Sequence, residues 1–78
     1  MIHFLIEYHR PTGRLEVTPY EDAREAAKER INRQLNRPDT DTEVVVILSD
    51  SLRSLRQTHS RYFASEDAII HDLVPANA

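Results

Sequence analysis

The segment 58–63, with the sequence THSRYF, places a histidine, a serine and an arginine next to one another. Histidine can act as a general base, and arginine can bind a carboxylate or a phosphate through two parallel hydrogen bonds. His59, however, shares an apolar helical stripe with Leu55 and Tyr62. We therefore expect a partly buried histidine, with Tyr62 and Phe63 as core anchors.

Nucleophilic catalysis at this segment is disfavoured by the spacing of its residues. Ser60 and His59 are consecutive, and consecutive helical residues point about 100° apart, so they do not face each other. The chain has one glycine, which excludes the usual glycine-rich phosphate loops, and it has no cysteine and no metal-ligand spacing of its histidines. We expect no catalytic residue, metal or cofactor, and a hydrolase or nuclease that uses His59 is the weakest alternative.

Basic side chains form the predicted partner-binding surface, which consists of Arg53, Arg56, Ser60 and Arg61. The surrounding segment carries three arginines and no acid, whereas the whole chain has a net charge of −3. A local basic face suits an unknown acidic protein partner. The alternative function is a nucleic-acid-associated regulator, antitoxin-like or a phage-type accessory protein, which would use these arginines or those of the stripe Arg30, Arg33 and Arg37. The acidic balance disfavours nucleic acid.

Two strands and a helix are predicted ahead of this segment. Apolar and polar residues alternate from Ile2 to Tyr8 and again around Leu15, and the turn between them contains the only glycine, which predicts a β-hairpin. Thr18 and Pro19 suit the start of a helix. The helix should pack through a stripe with a spacing of four, formed by Ala23, Ala27, Ile31 and Leu35.

Five consecutive apolar residues, 44–48, predict a central strand that is buried on both faces. A cap-rich turn at 49–51 leads into a second helix. The predicted fold is therefore an α/β (α+β) domain with the order ββαβα. We expect two layers, a mixed three-stranded sheet of order 2-1-3, and a short C-terminal helix, for which an added strand is the alternative.

This pattern resembles small bacterial proteins, chiefly actinobacterial, to which no activity is assigned. The resemblance rests on Glu43 to Val46, on Ser51, and on the segment 58–63, where such proteins also run from an EVVV strand through a serine-containing turn to a helix that ends near THSRYF. It implies a single folding unit that ends near Phe63. It implies no catalytic residues.

Size indicates how the domain is stabilised. A chain of 78 residues is a single domain that is marginally stable alone, and without cysteine it has no disulfides. We expect one domain over 1–65, an apolar segment over 66–78, and a homodimer. The candidate interface residues are Val45, Ile47, Ile69, Ile70, Leu73 and Val74. The absence of a membrane-length apolar run and of a signal peptide predicts a cytoplasmic, non-enzymatic interaction module.

Overall fold

The computed structural model describes residues 1–37, 39–64 and 68–71. Along these residues the elements are β1 (Ile2–His9), β2 (Arg14–Tyr20), α1 (Ala23–Leu35), β3 (Thr42–Ser49), α2 (Leu52–Thr58), a 3₁₀ helix (Ser60–Phe63) and β4 (Ala68–Ile70). No helix in the described part of the chain is long and apolar enough to span a membrane.

The strands form one mixed sheet in the order β3-β1-β2-β4. β1 pairs antiparallel with β2 and with β3, whereas β2 pairs in parallel with β4. The α+β class is confirmed, and the first three strands have the predicted neighbours. The sheet has a fourth strand, however, because residues 68–70 form β4 rather than the expected C-terminal helix.

β4 is attached to β2 by two contacts of His71. Its main-chain N–H donates to the carbonyl of Val17 at 2.9 Å, and its Nε2 lies 2.6 Å from the carboxylate of Glu16. Ile70 also packs against the core. A short strand at a sheet edge is weak alone, so these contacts explain why this segment adds to the sheet.

The hairpin turn is made possible by Gly13, the only described residue with positive φ (75°). Its N–H donates to the carbonyl of His9 at 2.8 Å. The hairpin then continues further than predicted, because Thr18 and Pro19 pair with Leu5 and Phe4 as part of β2.

α1 therefore begins at Ala23, and its N-cap is Asp22, whose side chain accepts the N–H of Arg24 at 2.8 Å. The expectation that Thr18 caps the helix is wrong. Proline fits in β2 because strand N–H groups point alternately to the two sides. Val17 faces β4, and Pro19, two residues on, therefore has its missing N–H on that side.

The predicted packing stripe of α1 is also wrong. Ala26 is its one fully buried residue, while Ala23 and Ala27 are exposed and Leu35 is 80% exposed. Residues four apart lie about 40° beyond a full helical turn, so three such steps rotate a stripe by about 120°. Relative to the buried Ala26, the stripe therefore runs from about 60° at Ala23 to about 180° at Leu35, and all four of its residues are exposed.

The two α-helices lie on opposite faces of the sheet. Arg33 of α1 is within 3.6 Å of Glu7 and Glu16, whereas Tyr62, after α2, contacts Tyr8 and Glu43. Because successive strand side chains point to opposite faces, these contacts define an α1 face and an α2 face. The domain has three layers where two were predicted.

The main core lies on the α2 face. Its buried side chains are Ile2, Phe4, Ile6, Leu15, Val17, Leu55 and Tyr62. On the α1 face, Leu5 and Val44 are buried beneath the helix. Both faces of the sheet are thus covered by the chain itself.

β3 lies at the edge of the sheet, which agrees with the predicted order 2-1-3, while the description of its apolar run as a central strand is wrong. Val45 and Ile47 point toward the α2 face, while Val44 and Val46 point toward the α1 face. The run is apolar because both faces are covered by helices, and apolarity gives no information about neighbouring strands. Leu48, near the end of the strand, is 53% exposed.

Candidate functional site

The 3₁₀ helix is fixed to the sheet by the buried ring of Tyr62. This ring packs edge-on against Tyr8, with centroids 5.1 Å apart and planes at 77°. The expectation that Tyr62 is a core anchor is confirmed, and Phe63 also packs against the core. The polar residues of the segment 58–63 are therefore held at a defined position on the α2 face.

Glu43, at the start of β3, is the hydrogen-bond acceptor at this position. The Tyr62 hydroxyl donates to Oε2 of Glu43 at 2.5 Å, and Nη2 of Arg61 donates to the same oxygen at 3.1 Å. The bond from Tyr62, followed by the charge of Arg61, lowers the pKa of Glu43. Burial, followed by the bond to Glu43, raises the pKa of Tyr62 to about 12.

Arg61 lies on the aromatic surface beside this carboxylate. Its guanidinium carbon is 4.1 Å from the ring centroid of Tyr62 and 5.9 Å from that of Tyr8. A second guanidinium, that of Arg10 just after β1, lies 3.7 Å from Glu43. Sequence analysis missed Arg10, because only the antiparallel pairing of β1 with β3 places it near Glu43.

The other predicted partner-binding residues have different surroundings. The guanidinium of Arg56 lies over the ring of Phe63 at 5.0 Å. Arg53 and Ser60 are exposed, and within the described residues neither side chain has a hydrogen bond or ion pair. The structure thus places Arg61 with Glu43 and Arg10, and it places Arg56 with Phe63.

His59 is the C-cap of α2, and its ring is half-buried. Nδ1 is 2.8 Å from the Thr58 hydroxyl, and the ring lies nearly parallel to that of Tyr62, with centroids 6.4 Å apart. Among the described residues, no carboxylate or serine is bonded to this ring, so the groups of a nucleophilic triad do not assemble around it.

The candidate interface residues fall into three groups. Val45, Ile47 and Ile70 pack against the chain's own core, and Ile69 is exposed on β4. Leu73 and Val74 lie outside the described residues. The contribution of these six residues to an interface stays a prediction.

The arginine stripe of α1 is engaged within the chain. Arg33 lies 3.5–3.6 Å from three carboxylates, those of Glu7, Glu16 and Glu29. Arg30 donates to Gln34, and Arg37 donates to a main-chain carbonyl of β3. These guanidinium groups neutralise acids and satisfy acceptors of the same molecule.

A cavity of about 460 Å³ opens on the α1 face, near the hairpin turn. In its wall, Thr12 Oγ1 is 2.7 Å from Nδ1 of His9, whose Nε2 is 3.6 Å from Asp39. Hydroxyl, imidazole and carboxylate follow one another as in a nucleophilic triad, but Thr12 lies in an exposed turn. Its hydroxyl also accepts the N–H of Arg14 at 3.2 Å, an arrangement that stabilises turns.

Comparisons with protein-family models, with curated proteins and with solved structures found no match to this chain. The resemblance to small bacterial proteins therefore stays a prediction. Within the described ranges, no three histidine, cysteine, aspartate or glutamate side chains are placed to hold a metal ion.

Proposed function

We propose that this chain is a small, non-enzymatic interaction module of the cytoplasm, which assembles as a homodimer by pairing the β3 strands of two copies. The observation that supports the proposal best is the exposed edge of β3. It is an eight-residue strand at the end of the sheet, with an apolar centre.

Within the described part of the chain, the outward backbone groups of β3 pair with no other strand. The N–H of Arg10 donates to the carbonyl of Asp41 at 3.1 Å, so these two residues form a hydrogen-bonded pair. Along the antiparallel pairing of β1 with β3, hydrogen-bonded and non-hydrogen-bonded pairs then alternate. Odd-numbered residues of β3 bond to β1, and even-numbered residues face outward. Arg37 donates to the outward carbonyl of Thr42. The outward residues beyond it are Val44, Val46 and Leu48.

The sequence of β3 lacks the usual protection of an edge. Natural edge strands carry lysine, proline, bulges or inward-pointing charges, which prevent pairing with other chains. Between Glu43 and Asp50 there is no charged residue and no proline. An unprotected edge of this length favours a dedicated partner strand.

The flank of α1 beside β3 carries Ala27 and Ile31 together with the hydrogen-bonded pair Arg30 and Gln34. The carboxylates of Glu25 and Glu29 lie near Tyr20 of β2, where burial and then these charges raise the pKa of the tyrosine. That side of the helix faces β2. Ala27 lies about 160° around the helix from both glutamates, so it faces the β3 side, and Ile31 continues this surface. Pairing at β3 would cover this flank together with Leu48.

A second copy suits this edge because the strand complements itself. An antiparallel pair centred on Val46 places Val44 of one copy opposite Leu48 of the other, and Glu43 opposite Ser49. Apolar residues then meet apolar residues, and no like charges are opposed, which favours cross-strand pairing. The same patch on both subunits is the arrangement of a twofold dimer.

The test compares two apolar-to-lysine substitutions on opposite edges of the sheet. Leu48→Lys places a charge in the proposed interface, whereas the matched control Ile69→Lys places one on β4. Sedimentation equilibrium at micromolar concentration should give twice the 9.1 kDa mass for the wild type and the control. It should give the single mass for Leu48→Lys. Both sites are partly exposed, so folding should persist, as circular dichroism would verify.

Hydrogen exchange provides an independent measurement on the wild type. The amides of Val44, Val46 and Leu48 should be protected in the dimer and should exchange rapidly in Leu48→Lys. A monomeric wild type, or a dimer that Ile69→Lys disrupts and Leu48→Lys does not, would overturn the proposal. The second result would move the interface to the β4 edge.

A further inference from the structure

Two arginines from separate parts of the chain converge on one carboxylate of the α2 face. Arg10 follows β1, and Arg61 lies in the 3₁₀ helix, yet both approach Glu43, at 3.7 Å and 3.1 Å. Their side chains are 55% and 62% exposed, whereas that of Glu43 is 17% exposed. The carboxylate therefore lies beneath two guanidinium groups that remain open to solvent.

The charges at this position do not balance. Glu43 supplies one negative charge and the two arginines supply two positive charges, which leaves one positive charge at the surface. Glu43 also accepts the bond from Tyr62, so its oxygens are engaged on the buried side. Glu43 therefore orients the two guanidinium groups but does not use all of their hydrogen-bond donors.

The guanidinium groups retain unused donors in a fixed arrangement. Arg61 uses Nη2 for Glu43 and Tyr62, which leaves Nε and Nη1 without a partner among the described residues. Arg10 uses Nη1 for a bond of 3.4 Å to the Thr40 carbonyl. The guanidinium of Arg61 is held over the ring of Tyr62, 4.1 Å from its centroid, and by its bonds to Glu43 and Tyr62, and donors that are already positioned lose less entropy on binding.

We propose that Arg10 and Arg61 together bind a carboxylate, such as an aspartate or glutamate side chain of an acidic protein segment. A carboxylate carries the single negative charge that this position lacks, whereas a phosphate dianion would exceed it. A guanidinium fork also matches the planar carboxylate. This site lies on the α2 face and does not depend on the pairing of β3.

The experiment measures binding to a defined acidic probe. A tetraglutamate peptide with blocked termini is titrated into ¹⁵N-labelled protein, and the Nε–Hε signals of the arginines are followed by NMR. The signals of Arg10 and Arg61 should shift with the same saturation curve. Arg10→Gln and Arg61→Gln should each weaken binding by about tenfold, as expected for the loss of a charge-assisted contact.

The matched control is Arg24→Gln, which removes an exposed arginine of α1 on the opposite face of the sheet. It should leave the affinity within about twofold of the wild type, because a distant exposed charge is screened by salt. An equal loss in Arg24→Gln would indicate a general charge effect and would overturn the proposal. So would unchanged affinity in both site variants, or tighter binding of inorganic phosphate than of the peptide at the same two arginines.

Discussion

The hydroxyl of Tyr62 joins the 3₁₀ helix to Glu43 at the start of β3, and Tyr62→Phe removes this hydroxyl. The ring keeps its buried position and its edge-on contact with Tyr8, so the apolar packing is retained. Glu43 loses the donor at 2.5 Å and keeps Arg61 and Arg10, while Arg61 loses the acceptor to which its Nη2 donates at 2.8 Å. The substitution therefore removes two hydrogen bonds of a buried phenol, of which the shorter is the one to the carboxylate.

The magnitude follows from the charge of the acceptor, because a hydrogen bond to a charged group contributes roughly 1.5–3 kcal/mol to stability. The rise in the pKa of Tyr62 from 10.0 to about 12 has burial as its first cause and the bond to Glu43 as its second, so it gives the direction of the pH dependence. We expect Tyr62→Phe to lower the free energy of unfolding by about 2 kcal/mol at neutral pH.

The loss of stability in Tyr62→Phe should become smaller at both acidic and alkaline pH. The folded state lowers the pKa of Glu43, so this group adds stability above its ordinary value of 4.5, and the contribution is lost as the pH falls through the folded pKa. The folded state raises the pKa of Tyr62, so its contribution is complete below 10.0 and is lost as the pH rises toward about 12. The difference between wild type and variant is therefore largest from about pH 5 to 9.

Urea unfolding followed by circular dichroism, at about pH 3, 7 and 11, measures this profile. The matched control is Tyr8→Phe, whose hydroxyl has no hydrogen-bond partner among the described residues; we expect it to lose less than about 1 kcal/mol at every pH. Equal losses in the two variants, or a loss in Tyr62→Phe that is independent of pH, would refute the role given to the bond with Glu43.

Three further substitutions, and one control at Leu35, test the local structure. Gly13→Ala should lower the thermal midpoint through a loss of roughly 1 kcal/mol or more, because alanine does not tolerate the positive φ of the turn; an unchanged midpoint would contradict this. Asp22→Ala should lower stability in urea by about 0.5–2 kcal/mol through loss of the helix cap, with no effect expected if the cap lay at Thr18. Leu55→Ala, at a fully buried position, should lose about 2–5 kcal/mol in the same assay, and Leu35→Ala, at an exposed one, less than about 0.5. A larger loss of stability in Leu35→Ala than in Leu55→Ala would support the packing stripe that the sequence predicts for α1.

The elements that sequence patterns predicted well are those determined by local physics. The hairpin follows from alternation and one glycine, and the start of α2 at Leu52 follows from the turn at 49–51, where Ser51 is the N-cap. The predicted start of α1 is too early. Thr18 and Pro19 suit both the start of a helix and the last residues of a strand. Their pairing with β1 decided between the two, and local propensity does not report such pairing.

The site was less predictable than the fold. Tyr62 was expected in the core, and Arg61 was expected on a basic surface, but Glu43 lies 19 residues before Tyr62 in the chain. Its role depends on the register that places Glu43 opposite Tyr8. The resemblance pattern includes both Glu43 and Tyr62, and the structure brings these two ends of the pattern into contact.

Pro19 would limit the assembly proposed above. It lacks an N–H on the side of β2 that faces β4, and β4 has three residues in the described part of the chain. A protein with long open borders on both sides of its sheet could add copies without limit and form fibres. Among the described strands, β3 is the one long border, so growth by the proposed pairing would stop once two molecules have joined.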